Sequence, residues 1–110
     1  MLVDFAVIKR AQTGDSGAFN EIVLAYRKRI IGHISHLIAR TEDVEDVAQE
    51  VFVRMYYSLD QLRSAEVFEP WLYTLTKNAA YDYLRKQKRR QEFCEVSPRK
   101  QKVSRAPATR

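Results

Sequence analysis

The sequence predicts an all-α fold, a compact bundle of one short and three longer helices. Three observations predict it. Apolar residues recur at steps of three and four over long stretches. Breakers are scarce, with three glycines and three prolines in 110 residues, and Pro98 and Pro107 lie near the C-terminus. No segment shows a convincing strand alternation or an internal repeat, and a hydrophobic content of 45% supports a real core.

Residues 4–13 read as the short amphipathic helix, with Phe5, Ile8 and Ala11 on one face. Gly14 is a helix stop, and Asp15 or Ser16 can cap the next helix. From Ala18 to Ala39 the stripe is Phe19, Ile22, Val23, Tyr26, Ile30, Ile34, Leu37 and Ile38, with Arg27, Lys28 and Arg29 pointing outward. Thr41 can cap a third helix and place Glu42 and Asp43 in its first turn, where the helix dipole favours acids. Its stripe, Val44, Val47, Ala48, Val51, Phe52, Met55 and Leu59, is the cleanest in the chain. The opposite face carries Asp43, Asp46, Gln49, Glu50 and Arg54.

Residues 60–67 break the pattern and read as a loop. Pro70 suits the first turn of a fourth helix, from Phe68 to Arg90, because its missing N–H costs little there. The buried side of that helix is Phe68, Trp71, Leu72, Leu75 and Ala79, continued by Tyr83 or Leu84. Beyond Phe93 no apolar period remains, so residues 1–92 are expected to form the folded domain and 93–110 a basic linker or tail.

The charge is divided along the chain. Residues 1–84 carry 9 basic and 12 acidic side chains, net −3, and residues 85–110 carry 10 and 2, net +8. A basic block beside a mildly acidic body is the footprint of a nucleic-acid partner or an anionic surface. A single cysteine, Cys94, excludes an internal disulfide framework and makes a reducing, cytoplasmic setting the default. No apolar run approaches the roughly 18–20 residues that span a bilayer, so no membrane role is expected.

Little catalytic chemistry is visible. Cys94 has no helix N-terminus to activate it, and Gly14, Gly17 and Gly32 are too scattered to form a phosphate loop. His33 and His36 share a helix but lack a third ligand, so they read as structural or surface histidines, with no metal and no cofactor expected. Glu42, Asp46 and Glu50, spaced by four, form an acidic ridge. Taken alone, the ridge fits either a solvated face or a docking surface for a basic partner. The fourth helix mixes phosphate-binding bases (Lys77, Arg85, Lys86, Arg89), an amide that can read base edges (Asn78) and aromatics that can stack on bases (Tyr73, Tyr81, Tyr83). Asn78, Tyr81, Asp82 and Arg85 fall at i, i+3, i+4 and i+7, one stripe. That stripe fits a nucleic-acid surface or, alternatively, a solvated basic helix end with its tyrosines in the core.

The segments TEDVEDVAQEVFVRMYYSLDQL and FEPWLYTLTKNAAYDYLRKQKRR, preceded by AFNEIVLAYRKRIIGHISHLI, closely resemble region 2 of bacterial sigma factors of the extracytoplasmic function (ECF) group, over about residues 5–90. The acidic-apolar DVAQEVF core, the F-x-x-W-L motif and an Asn ahead of a basic end occur in the family's order. The resemblance implies no enzyme activity but a transcription-initiation role, with core RNA polymerase, promoter DNA and an anti-sigma factor as partners. It implies that Asp46, Gln49, Glu50 and Arg54, with Asp43 beside them, dock on the clamp helices of the polymerase β′ subunit. It implies that the loop Asp60–Glu69, through Ser64, Ala65 and Phe68, takes a flipped base of the −10 non-template strand. Asn78 matches the family's base-contacting asparagine and Asp82 a second reading position, beside Tyr81. Lys77, Arg85, Lys86 and Arg89 are expected on the DNA backbone. The loop's Glu66 and Glu69 make it more acidic than in many such factors. The family's second helical domain, which reads the −35 element, has no counterpart in this sequence.

Two other readings start from the same residues. A helical adaptor could bind polymerase without opening DNA. A helix-turn-helix repressor would need two short helices and a tight turn, against which stand the eight-residue loop 60–67 and the 23-residue helix 68–90.

Overall fold

The computed structural model describes residues 1–96. Four helices follow one another: α1 (Phe5–Gln12), α2 (Ser16–Leu37), α3 (Val44–Ser58) and α4 (Phe68–Val96). Short 3₁₀ turns precede α3 (Thr41–Asp43) and divide the α3–α4 connection (Leu59–Gln61 and Ala65–Val67). No strand occurs among the described residues. The chain divides into a unit of residues 1–80 and a second beginning at Tyr81.

The α1–α2 junction follows from two residues. Gly14 adopts φ +99°, a left-handed conformation that favours glycine. Asp15 then accepts the Ala18 N–H at 3.0 Å and caps α2. Along α2 the steps of four, Ala18, Ile22, Tyr26, Ile30 and Ile34, are all buried. In α3 the predicted stripe is buried at Val44, Val47, Ala48, Val51 and Met55, and Leu59 is buried just beyond it; Phe52 alone sits half-exposed.

Five local expectations are corrected. Phe5 is 43% exposed, and Val7 joins Ile8 as the buried pair of α1. Thr41 does not cap α3; it opens a 3₁₀ turn that also holds Glu42 and Asp43. Arg40 ties that turn together by pairing with Glu42 (2.9 Å) and Asp43 (3.2 Å), so the acids in the first turn of α3 are Glu45 and Asp46. The 60–67 connection is not a plain loop, since Leu62 and Ala65 are buried. Leu84 does not continue the buried side of α4; it is exposed. Finally, α4 runs through Val96, so residues 93–96, expected in the tail and including Cys94, are helical. The rest of the expected tail lies outside the described residues.

Within residues 1–80 the core closes around Tyr26, whose side chain is fully buried. Its ring meets Phe68 edge-on at 5.4 Å. Its hydroxyl accepts the Leu2 N–H (3.1 Å) and donates to Glu69 Oε2 (2.6 Å). One residue of α2 thereby joins the N-terminus to the start of α4. From the other side, Gln12 Nε2 donates to the Leu59 and Leu62 carbonyls at 3.0 and 2.9 Å. The end of α1 thus fixes the path of the α3–α4 connection, giving the Leu62 carbonyl a donor and adding a second one to the Leu59 carbonyl, which also accepts the Leu62 N–H at 3.1 Å.

Candidate functional site

The polar face of α3 sorts into paired and unpaired groups. Asp46, Gln49 and Glu50 are exposed, while Asp43 and Arg54 are half-buried. Arg54 Nε donates to Glu50 at 3.0 Å, and Asp43 is held by Arg40. Glu45 reaches Arg27 of α2 at 3.5 Å. Asp46 and Gln49 form no side-chain bond among the described residues, so they face water with their full bonding capacity.

Beside this face lies an apolar groove of about 510 Å³ between α2 and α3, walled by Phe19, Val23, Ala48, Phe52 and Tyr56. Phe19 and Tyr56 meet edge-on at 5.3 Å, and Tyr56 and Tyr57 at 5.2 Å. Tyr56 and Tyr57 remain 63% and 73% exposed, with Val53 beside them at 49%. Sequence reasoning missed this groove. Phe52, expected on the stripe with Val51 and Met55, borders the core instead of filling it, together with Tyr56 four residues on.

The α3–α4 connection is preorganised. The Ser64 hydroxyl accepts the Glu66 N–H at 3.2 Å, leaving Ser64 exposed at the tip. Ala65 and Phe68, expected to touch DNA, are buried. Phe68 packs between Tyr26 and Trp71, 5.9 Å away, so these two residues shape the connection from inside and present no surface. Of the connection's two acids, Glu69 accepts the Tyr26 hydroxyl and is half-buried, while Glu66 is exposed. Burial, and then the bond to Glu69, push the Tyr26 hydroxyl up to about 12.

Further along α4, still within the first unit, Lys77 and Asn78 are exposed, while Thr76 is buried with its hydroxyl donating to the Leu72 carbonyl at 2.9 Å. Tyr73 is half-buried against α2. Its ring stacks on His33 (5.6 Å, 17°), and its hydroxyl accepts from Arg29 at 3.4 Å, which holds the Arg29 guanidinium above its ordinary value.

In the second unit Tyr81, Arg85, Lys86 and Arg89 are exposed. Asp82 and Arg85 of the expected stripe pair with each other one turn apart. Tyr83 is half-buried and accepts from Gln87 Nε2 at 3.1 Å. Among the described residues no group of three or more His, Cys, Asp or Glu could hold a metal ion, and no helix is long and apolar enough to cross a membrane.

The Sigma-70 region 2 family model matches residues 22–90, which include the exposed acidic-amide face of α3, the braced connection, and Lys77 and Asn78 of α4. The chain belongs to the Sigma-70 region 2 family. It is similar to the ECF RNA polymerase sigma-E factor of Haemophilus influenzae, with 38% identity over 89 residues, covering 81% of this chain and 47% of the relative. It is also similar to that of Escherichia coli K12, with 37% identity over 95 residues, covering 86% and 49%. The chain therefore spans about half the length of the curated relatives it matches. Among solved structures, an engineered region 2 of sigmaE in complex with GTAAAA, determined by NMR, superposes with a TM-score of 0.75 at 37% identity, over 81% of this chain and 93% of that one. The region 2 match begins within α2 and ends within α4, so it takes in the α3 face, the connection, and Lys77 and Asn78.

Proposed function

We propose that this region 2 domain binds core RNA polymerase and recognises and melts the promoter −10 element through its non-template strand, in the cytoplasm and without catalysis of its own. Nucleotidyl transfer belongs to the polymerase. The observation that carries this reading is the likeness to a region 2 in complex with GTAAAA, coupled with an exposed Asn78 and Lys77 on the matched part of α4.

The division of labour follows from the two surfaces. Asp46 and Gln49, unpaired and exposed, offer acceptors to a basic coiled coil such as the β′ clamp helices, with Glu50, Asp43 and Arg54 fixing the edge of that face. The groove lined by Phe52 and Tyr56 adds apolar area that acids alone cannot supply. An anti-sigma factor that silences the domain would compete for the same face. At the α3–α4 connection, the Ser64 tip takes a base out of the stack, with the buried Ala65 and Phe68 shaping the connection from inside. Unstacking costs a few kcal/mol, and a connection already fixed by Gln12 and Tyr26 adds no ordering cost to it. Asn78 reads a base edge, with Asp82 and Tyr81 as further reading positions, and Lys77, Arg85, Lys86 and Arg89 hold phosphates.

Fluorescence anisotropy tests the reading directly. The chain should bind a labelled single strand containing GTAAAA more tightly than a permuted strand and more tightly than the same sequence as duplex. A preference for duplex would favour a helix-turn-helix mode instead, and binding to core polymerase with no affinity for any strand would favour the adaptor.

A further inference from the structure

Six arginines lie in residues 1–80. Arg10, Arg27, Arg40 and Arg54 each pair with a carboxylate. Among the described residues Arg63, at the α3–α4 connection, and Arg29, on α2, pair with none. Arg29 differs from Arg63 in being held: the neutral Tyr73 hydroxyl takes one of its N–H groups at 3.4 Å. A guanidinium has five donors in a rigid fork, so most of the fork stays available and its charge is not cancelled by a bonded acid. Glu69, whose field reaches Arg29, makes no ion pair with it and accepts the Tyr26 hydroxyl instead.

The surroundings extend this one cation into a surface. His33 and His36 follow Arg29 at i+4 and i+7, on the same stripe of α2. Gly32 lies between Arg29 and His33 in the sequence, and a Cβ there would meet nothing within 4 Å, so the helix is open at that position. The stacked His33–Tyr73 pair carries the stripe across to α4, where the exposed Lys77 stands one turn beyond Tyr73. A steadied arginine, aromatic rings and a lysine without a bonded acid together match a phosphodiester backbone, for which Arg supplies the planar fork.

We propose that the Arg29–His33 stripe of α2, with Tyr73 of α4, is a second strand-contacting site, in which Arg29 holds a backbone phosphate of the single-stranded DNA. Its phosphate-holding residue, Arg29, lies on α2, outside the α4 series and the connection, and the proposal rests on the single-strand reading above.

The test is anisotropy of the full chain with labelled GTAAAA-containing and permuted strands across a salt series, for the unmodified chain, Arg29→Gln, Arg29→Lys and Tyr73→Phe. Arg29→Gln should weaken both strands by the same severalfold factor and lower the slope of log affinity against log salt by about 0.7, the loss of one single-strand phosphate contact. Arg29→Lys should keep the slope, because the charge remains. Tyr73→Phe, which keeps the ring and frees the arginine, should fall between. Selective binding by the unmodified chain with the Arg29→Gln slope unchanged overturns this inference and leaves the single-strand reading standing. Equal losses in Arg29→Gln and Arg29→Lys, with the slope retained in both, would make the role of Arg29 structural and overturn it as well. No strand binding by the unmodified chain overturns both.

Discussion

The face of α3 and the α2–α4 side of the same small unit are built on opposite principles. On α3 the exposed acceptors Asp46 and Gln49 have no basic partner among the described residues, and an apolar groove runs beside them. On the α2–α4 side, Arg29 and Lys77 have no bonded acid, and the one carboxylate within reach, Glu69, is turned inward to Tyr26. The first surface suits a protein with basic side chains and some apolar area. The second suits a polyanion. What separates them is where counter-charges are spent: Arg27–Glu45 and Arg54–Glu50 trim the rim of the α3 face, whereas Glu69 is withdrawn from the α4 face by a buried hydroxyl. Exposed ion pairs such as Arg10–Asp15, 3.5 Å apart, contribute little to stability by comparison.

The comparison breaks most visibly at the residue that braces the α2–α4 side. Phe68→Ala removes a fully buried ring between Tyr26 and Trp71 and should cost about 3–5 kcal/mol in urea unfolding. A loss under about 1 kcal/mol would mean that Phe68 faces solvent after all. Next comes Tyr26→Phe, which keeps the ring but removes the link between Leu2 and Glu69, for about 1 kcal/mol near neutral pH. The hydroxyl titrates at about 12 in the fold against an ordinary 10.0. Its value is raised, so its stabilisation is complete below the unfolded value and is lost as pH rises through the folded one. The stability gap between the unmodified chain and Tyr26→Phe should therefore shrink between pH 10.0 and about 12, read by unfolding at a series of alkaline pH values. A gap constant over that window would remove the hydroxyl from the account.

The α3 side sharpens the contrast from the other direction. Asp46→Ala combined with Gln49→Ala should weaken capture by core polymerase severalfold, leaving unfolding within about 0.5 kcal/mol and strand binding unchanged. Undiminished capture would detach this face from the polymerase. The smallest expected change is in the second unit, where Lys86→Ala should lower the single-strand salt slope by about 0.7 with no change in sequence preference.

Much of this fold was legible before any coordinates. The α3 stripe, Gly14 and the Asp15 cap are local signals, encoded within one or two turns, and the structure repeats them. The misses arise where long-range bonds decide. Gln12 reaches 47 and 50 residues ahead, and Tyr26 reaches 43, so neither periodicity nor composition could reveal that the connection is braced or that Glu69 is taken out of play. Phe5 was misplaced because an eight-residue helix shows barely two turns of pattern, too few to choose between Phe5 and Val7. The candidate site was legible as residue types, since Asp46, Gln49, Lys77 and Asn78 are all exposed, but not as geometry. The sequence could not say that Ala65 lies beneath the surface, that Asp82 is paired with Arg85, or that Arg29 is steadied by Tyr73.

The central claim is that the α4 side reads an unpaired strand, and Asn78 is where it is most exposed to test. The decisive measurement is the ratio of affinities for GTAAAA-containing and permuted single strands, taken for the unmodified chain and for Asn78→Ala at one salt concentration. The account predicts a clear preference in the unmodified chain that Asn78→Ala reduces by about 1–3 kcal/mol, with the salt slope unchanged. A preference that survives the substitution intact would contradict it.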